Sequence, residues 1–257
     1  MFSKEVDFSH APHPSVNLYV NKMDFQFRPA ESVCYIIPYF PEFESELDTG
    51  AYKRLVAVDW EDPDFRDIAL DMISSTIPLR LMLPPANMVN VALHLREGGN
   101  FDVDDVRFKF PLKLPPLHFY CDALKKVAAL FQGQPIHCQI FTDAINPEVL
   151  VELIKKELPS GHNIQFDYRK QANDDEDNVL DDFFSLFHYD VLIRPESNFS
   201  KVPDLLHDFA VVISPKHAVL STNGGRNSVR VDEMQTKIDE FMYQICLTRW
   251  DATDRFN

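Results

Sequence analysis

Apolar residues in this chain fall into two patterns, short β-rich runs and stripes at helical spacing, and from about Val89 onward the two alternate. Asn90–Leu95 (NVALHL), Ile136–Phe141, Asn163–Tyr168, Asp190–Ile193 and Val211–Ser214 are short runs that predict strands. Pro116–Phe131 predicts a helix, with Leu117, Tyr120, Leu124, Val127, Ala128 and Phe131 on one stripe and Gly133 just past its end. Asn146 as cap and Pro147 as first residue open another, whose Leu150, Leu153, Ile154 and Leu158 face inward before Pro159 stops it. The acidic run Asp174–Asp177 opens a helix carrying Leu180, Phe183, Phe184 and Phe187 on one face. Ser200–His207 predicts a short helix, and Met234, Ile238, Phe241, Met242 and Ile245 mark a C-terminal one. Strands alternating with helices predict an α/β, Rossmann-like fold: a mostly parallel sheet flanked by helices, with right-handed crossovers.

The first third is less regular. Val33–Ile37 predicts a strand ended by Pro38, and Leu55–Val58 a second short one. Asp62-Pro63 supplies a cap and a first-position proline for a helix to about Ser74, with Phe65, Ile68, Met72 and Ile73 at helical spacing. Met1 to Ala30 shows no period. Pro78, Pro84 and Pro85 within Thr76–Asn87 predict a linker or lobe boundary, dividing residues 1–85 from residues 86–257.

Composition narrows the function. With 45% hydrophobic residues and 21 Phe the chain has the makings of a packed core. Its formal net charge of −15, spread along the sequence, repels nucleic-acid backbones and anionic lipid. An anionic ligand therefore needs a locally positive pocket. Cys34, Cys121, Cys138 and Cys246 have no zinc or redox spacing, so free thiols in a reducing compartment are expected. Met1–His10 lacks the apolar core of a secretory signal, and no run of about 18 apolar residues occurs, so a soluble cytoplasmic protein is expected.

Parallel sheets bind ligands beyond the carboxyl ends of their strands. Three strand-end loops are candidates. In His94-Leu95-Arg96-Glu97-Gly98-Gly99 the arginine offers a planar, permanently charged fork for a diphosphate, or else pairs with a surface acid beside a core histidine. Phe141-Thr142-Asp143 ends the next strand with a carboxylate that can accept bonds from a base or ribose, or can order its own loop. Arg194-Pro195-Glu196-Ser197-Asn198-Phe199-Ser200 feeds a helix whose first N–H groups suit anionic oxygen, or which is simply capped at Ser200.

The order of these motifs, HxRxGG, then a strand ending TD, then DVLI followed by SNFS, resembles the donor lobe of α-1,2- and α-1,6-fucosyltransferases over roughly Val89 to Leu220. The resemblance implies a GT-B-like donor-binding domain with a reduced or partial N-terminal lobe. It further implies transfer of a sugar, fucose foremost, from a GDP-sugar to a glycan hydroxyl, with inversion and without a metal ion or other cofactor. By the same resemblance Arg96 meets the β-phosphate, His94 contacts the nucleotide or shapes the loop, and Thr142 and Asp143 stand near guanine or ribose. Ser197, Asn198, Phe199 and Ser200 line the phosphate turn. Two positions depart from the pattern: Glu97 replaces a second arginine and Gly99 the motif aspartate. A catalytically inactive relative that binds a nucleotide or glycan as a scaffold is the alternative. Asp102-Val103-Asp104 is a D-x-D by letter and is read as loop, with Asp102, Asp104 and Asp105 as possible activators of the acceptor.

Overall fold

The computed structural model describes residues 16–19, 33–36, 62–74, 78–97, 103–169, 179–223 and 225–253, which fall into two compact units, Met1–Ile77 and Pro78–Asn257. In the first unit β1 (Val16–Tyr19) and β2 (Val33–Ile36) pair in parallel, and α1 spans Pro63–Ile73. The Asp62 carboxylate caps α1 by accepting from the Asp64 N–H at 3.0 Å, so the sequence signal for its start holds. Leu55–Val58 lies outside the described residues.

The second unit is built on a six-stranded sheet in the order β5-β4-β3-β6-β7-β8. Its strands are β3 (Val89–Leu95), β4 (Ile136–Thr142), β5 (Ile164–Tyr168), β6 (Val191–Ile193), β7 (Val211–Asn223) and β8 (Arg226–Ile238). The first five are parallel to their neighbours, and β8 runs antiparallel to β7. The connecting helices are α2 (Val103–Lys109), α3 (Leu117–Leu130), α4 (Pro147–Glu157), α5 (Val179–Ser185, extended by a 3-10 turn to His188), α6 (Asn198–Leu206) and α7 (Glu240–Thr253). The α/β fold expected from the alternation is thus present. Among the described residues no helix is long and apolar enough to cross a membrane.

Strand pleating sorts the side chains onto two faces. Val89, Val91, Leu93 and Leu95 of β3 join Ile136, Cys138 and Ile140 of β4 on an aliphatic face covered by α3, α4 and α7. Each fully buried Leu, Ile or Phe there contributes roughly 1.5–3 kcal/mol. The opposite face has a smaller core of Ala92, Phe141, Leu186, Tyr189, Leu192, Phe209 and Val212, and it is there that Asn90, His94, His137 and Gln139 are buried. β6 (VLI) reads as the continuous apolar run of a strand buried on both faces, whereas β3 and β4 interleave apolar residues with buried polar ones.

Several expectations need correction. The strand begun at Val211 continues to Asn223 and returns as β8, so Met234 and Ile238 lie on a strand and the C-terminal helix starts only at Glu240. Residues four apart share a face in a strand as well as in a helix, so that spacing did not discriminate. Gly225, with φ of +79°, sits in the tight turn between the two strands. Val103 and Asp104, read as loop, belong to α2, as does Asp105, while Asp102 lies outside the described residues. In α4 Val151 and Ile154 are buried, Leu150 packs against the core and Leu158 is buried just past the helix, as expected, but Leu153 is exposed. The described part of α5 is Val179–Ser185, and Asp174–Asp177, expected to open it, lies outside the described residues.

Pro78–Pro85 is not a loose connector. The Arg80 N–H donates to Asp181 Oδ1 at 2.8 Å and the Met82 N–H to Ser185 Oγ at 2.9 Å. The Tyr189 hydroxyl donates to the Met82 carbonyl at 2.9 Å, and Asn90 Nδ2 to the Pro85 carbonyl at 3.1 Å. Extended backbone without a sheet partner is here satisfied by side chains.

Candidate functional site

From β3 the chain proceeds to β4 and β5 on one side, then crosses back to β6 on the other side of β3. The reversal places the switch point between β3 and β6, whose carboxyl ends are aligned by the pair Leu93 and Ile193. A doubly wound sheet has its crevice at this point. The first and third candidate loops leave these two adjacent strands.

A hydrogen bond ties them together. His94, next to the last residue of β3, places Nδ1 2.7 Å from Ser200 Oγ in the first turn of α6. Both side chains are buried, Ser200 completely. The His94 ring also packs on Phe199, centroids 5.1 Å apart, and Phe199 packs edge-on to Phe183 of α5. Burial first, then the nearby positive charges of Arg96 and Arg194, depress the His94 pKa to about 3. The imidazole is neutral at physiological pH and holds the crevice's shape rather than its charge.

Arg96 follows on the exposed end of the same strand, and its guanidinium has no ion-pair partner among the described residues. Among the described residues the expected alternative, a surface ion pair for Arg96, is not found. The loop is instead held by its backbone, where the Glu97 N–H donates to Asp143 Oδ1 at 2.6 Å. Asp143 therefore orders the neighbouring loop with one of its oxygens. Thr142 is likewise committed, its Oγ1 accepting from the Ala144 N–H at 3.1 Å. Glu97 reaches Arg107 of α2 at 3.6 Å, and burial, opposed by Arg107 and aided by Asp143, raises its pKa. The Tyr120 hydroxyl of α3 is buried close to the Arg96 backbone, and desolvation, opposed by that backbone contact, pushes its pKa up. Gly98 and Gly99 lie outside the described residues.

On the α6 side the cap lies three residues earlier than the one predicted at Ser200, and the helix begins at Asn198. Ser197 takes the cap position in extended conformation, with φ of −127° and ψ of 132°, and its side chain makes no capping bond. The Ser197 carbonyl receives the Ser200 and Lys201 N–H groups at 3.2 and 2.9 Å. The N–H groups of Asn198 and Phe199 have no acceptor among the described residues, the usual state of a helix start, and the Asn198 side chain is exposed. Sequence reasoning missed Arg194, the buried last link between β6 and this turn. Its signal was an arginine directly after an apolar strand with Asp204 ten residues on, but burial is not visible in a sequence.

Among the described residues no group of three His, Cys, Asp or Glu converges as a metal ligand set. What the crevice offers is positive charge from Arg96 on one side and unpaired helix-start N–H groups on the other.

Fold and crevice define a class, the doubly wound α/β domain with a positively flanked switch point. No protein-family model and no curated protein matches the chain. Among solved structures, the fucosyltransferase NodZ from Bradyrhizobium is similar at 13% identity with a TM-score of 0.41, covering 84% of this chain and 60% of that one. NodZ alpha-1,6-fucosyltransferase soaked with GDP-fucose gives 13% and 0.41 over 84% and 61%. POFUT1 in complex with GDP gives 10% and 0.33 over 68% and 51%. The chain thus spans about 60% of the length of the NodZ structures. At these scores the likeness carries no functional weight, which rests with the residues of the crevice.

Proposed function

We propose that this chain binds a GDP-linked sugar across the switch-point crevice and transfers the sugar, fucose foremost, to a glycan hydroxyl. The observation that carries this reading is the His94–Ser200 hydrogen bond, which joins the Arg96 strand to the amino end of α6. A diphosphate is the ligand that uses both a guanidinium fork and free helix-start N–H groups.

In the proposed reaction the bond between the sugar's anomeric carbon and the β-phosphate oxygen breaks, and the electron pair leaves with GDP. Arg96 and the N–H groups of Asn198 and Phe199 stabilise the charge that develops on that phosphate, so no proton need reach the leaving group. The acceptor oxygen attacks the opposite face of the anomeric carbon, giving inversion, and releases its proton to solvent water. His94, neutral and buried, acts by position in this scheme. Asp143 and Thr142 act in this scheme by holding the loops beside the base and ribose. Metal-independent transfer is part of the proposal, with cationic side chain and helix start in the role of a divalent ion.

Glu97 favours a second reading, since an acid next to Arg96 weakens the field on an anion: a module that binds the nucleotide without transferring the sugar. A thermal-shift panel of GDP, UDP, ADP, CMP and GDP-fucose tests the first reading, with stabilisation by the two guanine ligands expected. No response to either sinks it. GDP binding without transfer or hydrolysis of GDP-fucose selects the second.

A further inference from the structure

The start of α6 is held by a side chain outside the motif itself. Arg194 closes β6 with a side chain only 3% exposed. Its Nε donates to Asp204 Oδ2 at 3.0 Å, and the terminal nitrogen NH2 lies 3.0 Å from the same oxygen. The other terminal nitrogen donates to the Pro195 carbonyl at 3.1 Å and lies 3.5 Å from Glu196 Oε1. One guanidinium thus joins the strand end, the turn and the second turn of the helix. The turn has a further tie in the Glu196 N–H, which donates to the Leu112 carbonyl at 2.8 Å.

All three guanidinium nitrogens of Arg194 are engaged by protein oxygens, so it is not itself an anion ligand. A buried cation this fully paired is costly to disturb, and its planar fork fixes direction as well as distance. We propose that Arg194 is a positioning residue. It sets the amino end of α6, and with it the Asn198 and Phe199 N–H groups, and so determines how tightly the crevice holds a diphosphate as distinct from a base or ribose. This rests on the nucleotide reading above.

Lysine keeps the charge and loses the fork, so Arg194→Lys separates geometry from potential. Calorimetry on the full chain, with GDP, inorganic pyrophosphate and guanosine as probes, is expected to show about a tenfold loss for the two phosphate ligands and none for guanosine. Equal loss for all three, or undiminished GDP affinity in the folded variant, overturns the proposal. Asp204→Asn, nearly isosteric, carries the same test where Arg194→Lys fails to fold. Hydrogen exchange without ligand reads the anchoring separately: the Ser200 and Lys201 amides, which donate to the Ser197 carbonyl, are expected to exchange about tenfold faster in both variants, with β3 unchanged. Unchanged exchange at those amides also overturns it. Should the unaltered chain bind neither GDP nor pyrophosphate, the nucleotide reading falls, and the exchange result alone decides whether Arg194 holds the helix.

Discussion

The two walls of the crevice are built on opposite plans. On the β3 wall the proposed working group, Arg96, is exposed, and among the described residues its loop is held by one backbone bond to Asp143 amid charges that include Glu97 and Arg107. On the β6 wall nearly everything is buried and tied: Arg194 to Asp204, Ser200 to His94, Phe199 to His94 and Phe183. One wall supplies charge and can be altered at little cost to the fold. The other supplies geometry, and changes there affect stability and binding together.

The largest effect expected from this contrast comes from Arg96→Ala. GDP affinity should fall about 100-fold by calorimetry, while the melting temperature moves by no more than about 1 °C. A variant that binds GDP as before, or that unfolds, would erase the distinction between the walls. Ser200→Ala probes the other plan. It strands His94 Nδ1 in a buried setting and should cost about 2 kcal/mol in urea unfolding, with GDP affinity changed only a few-fold.

Less of the site than of the fold could be read from the residues. The parallel strands announce themselves because burial on both faces demands unbroken apolar runs, as in Val91 to Leu93. The β7–β8 hairpin does not, because Lys216, His217, Asp232 and Glu233 pair across exposed strands and leave no apolar run to detect. In the site, the order of the motifs pointed to the three loops. Yet Thr142 and Asp143, expected at base or ribose, have atoms committed to neighbouring N–H groups. Such competition between ligand and backbone depends on where the next loop passes, which local sequence does not encode. Arg194 stayed hidden for the same reason.

Acid sharpens the comparison further. The His94 pKa of about 3 in the folded chain lies below the ordinary 6.5 of an exposed imidazole, so the unfolded chain binds the extra proton in between. Stability therefore drops as pH falls below about 6.5. By pH 5.5 the loss is about 1.4 kcal/mol relative to pH 7.5, and His94→Gln should remove this part of the pH dependence in urea titrations. An unchanged acid limb in that variant would mean that His94 is solvated or charged in the fold. The smallest effect belongs to the β3 wall again: Glu97→Gln should tighten GDP by about twofold, an increment that shrinks in high salt. Weaker binding would instead mean that Glu97 helps to hold the ligand.

The Pro78–Pro85 strap is captured through its own peptide groups by the side chains of Asp181, Ser185, Tyr189 and Asn90. Recognition of this kind is indifferent to most of the letters in the captured segment. Leu79, Arg80 and Leu83 can be rewritten while the clasp still closes, whereas one altered letter among the four gripping residues opens it. The information that keeps this stretch in place is stored about a hundred positions downstream, apart from Asn90, and inspection of the stretch itself would never find it.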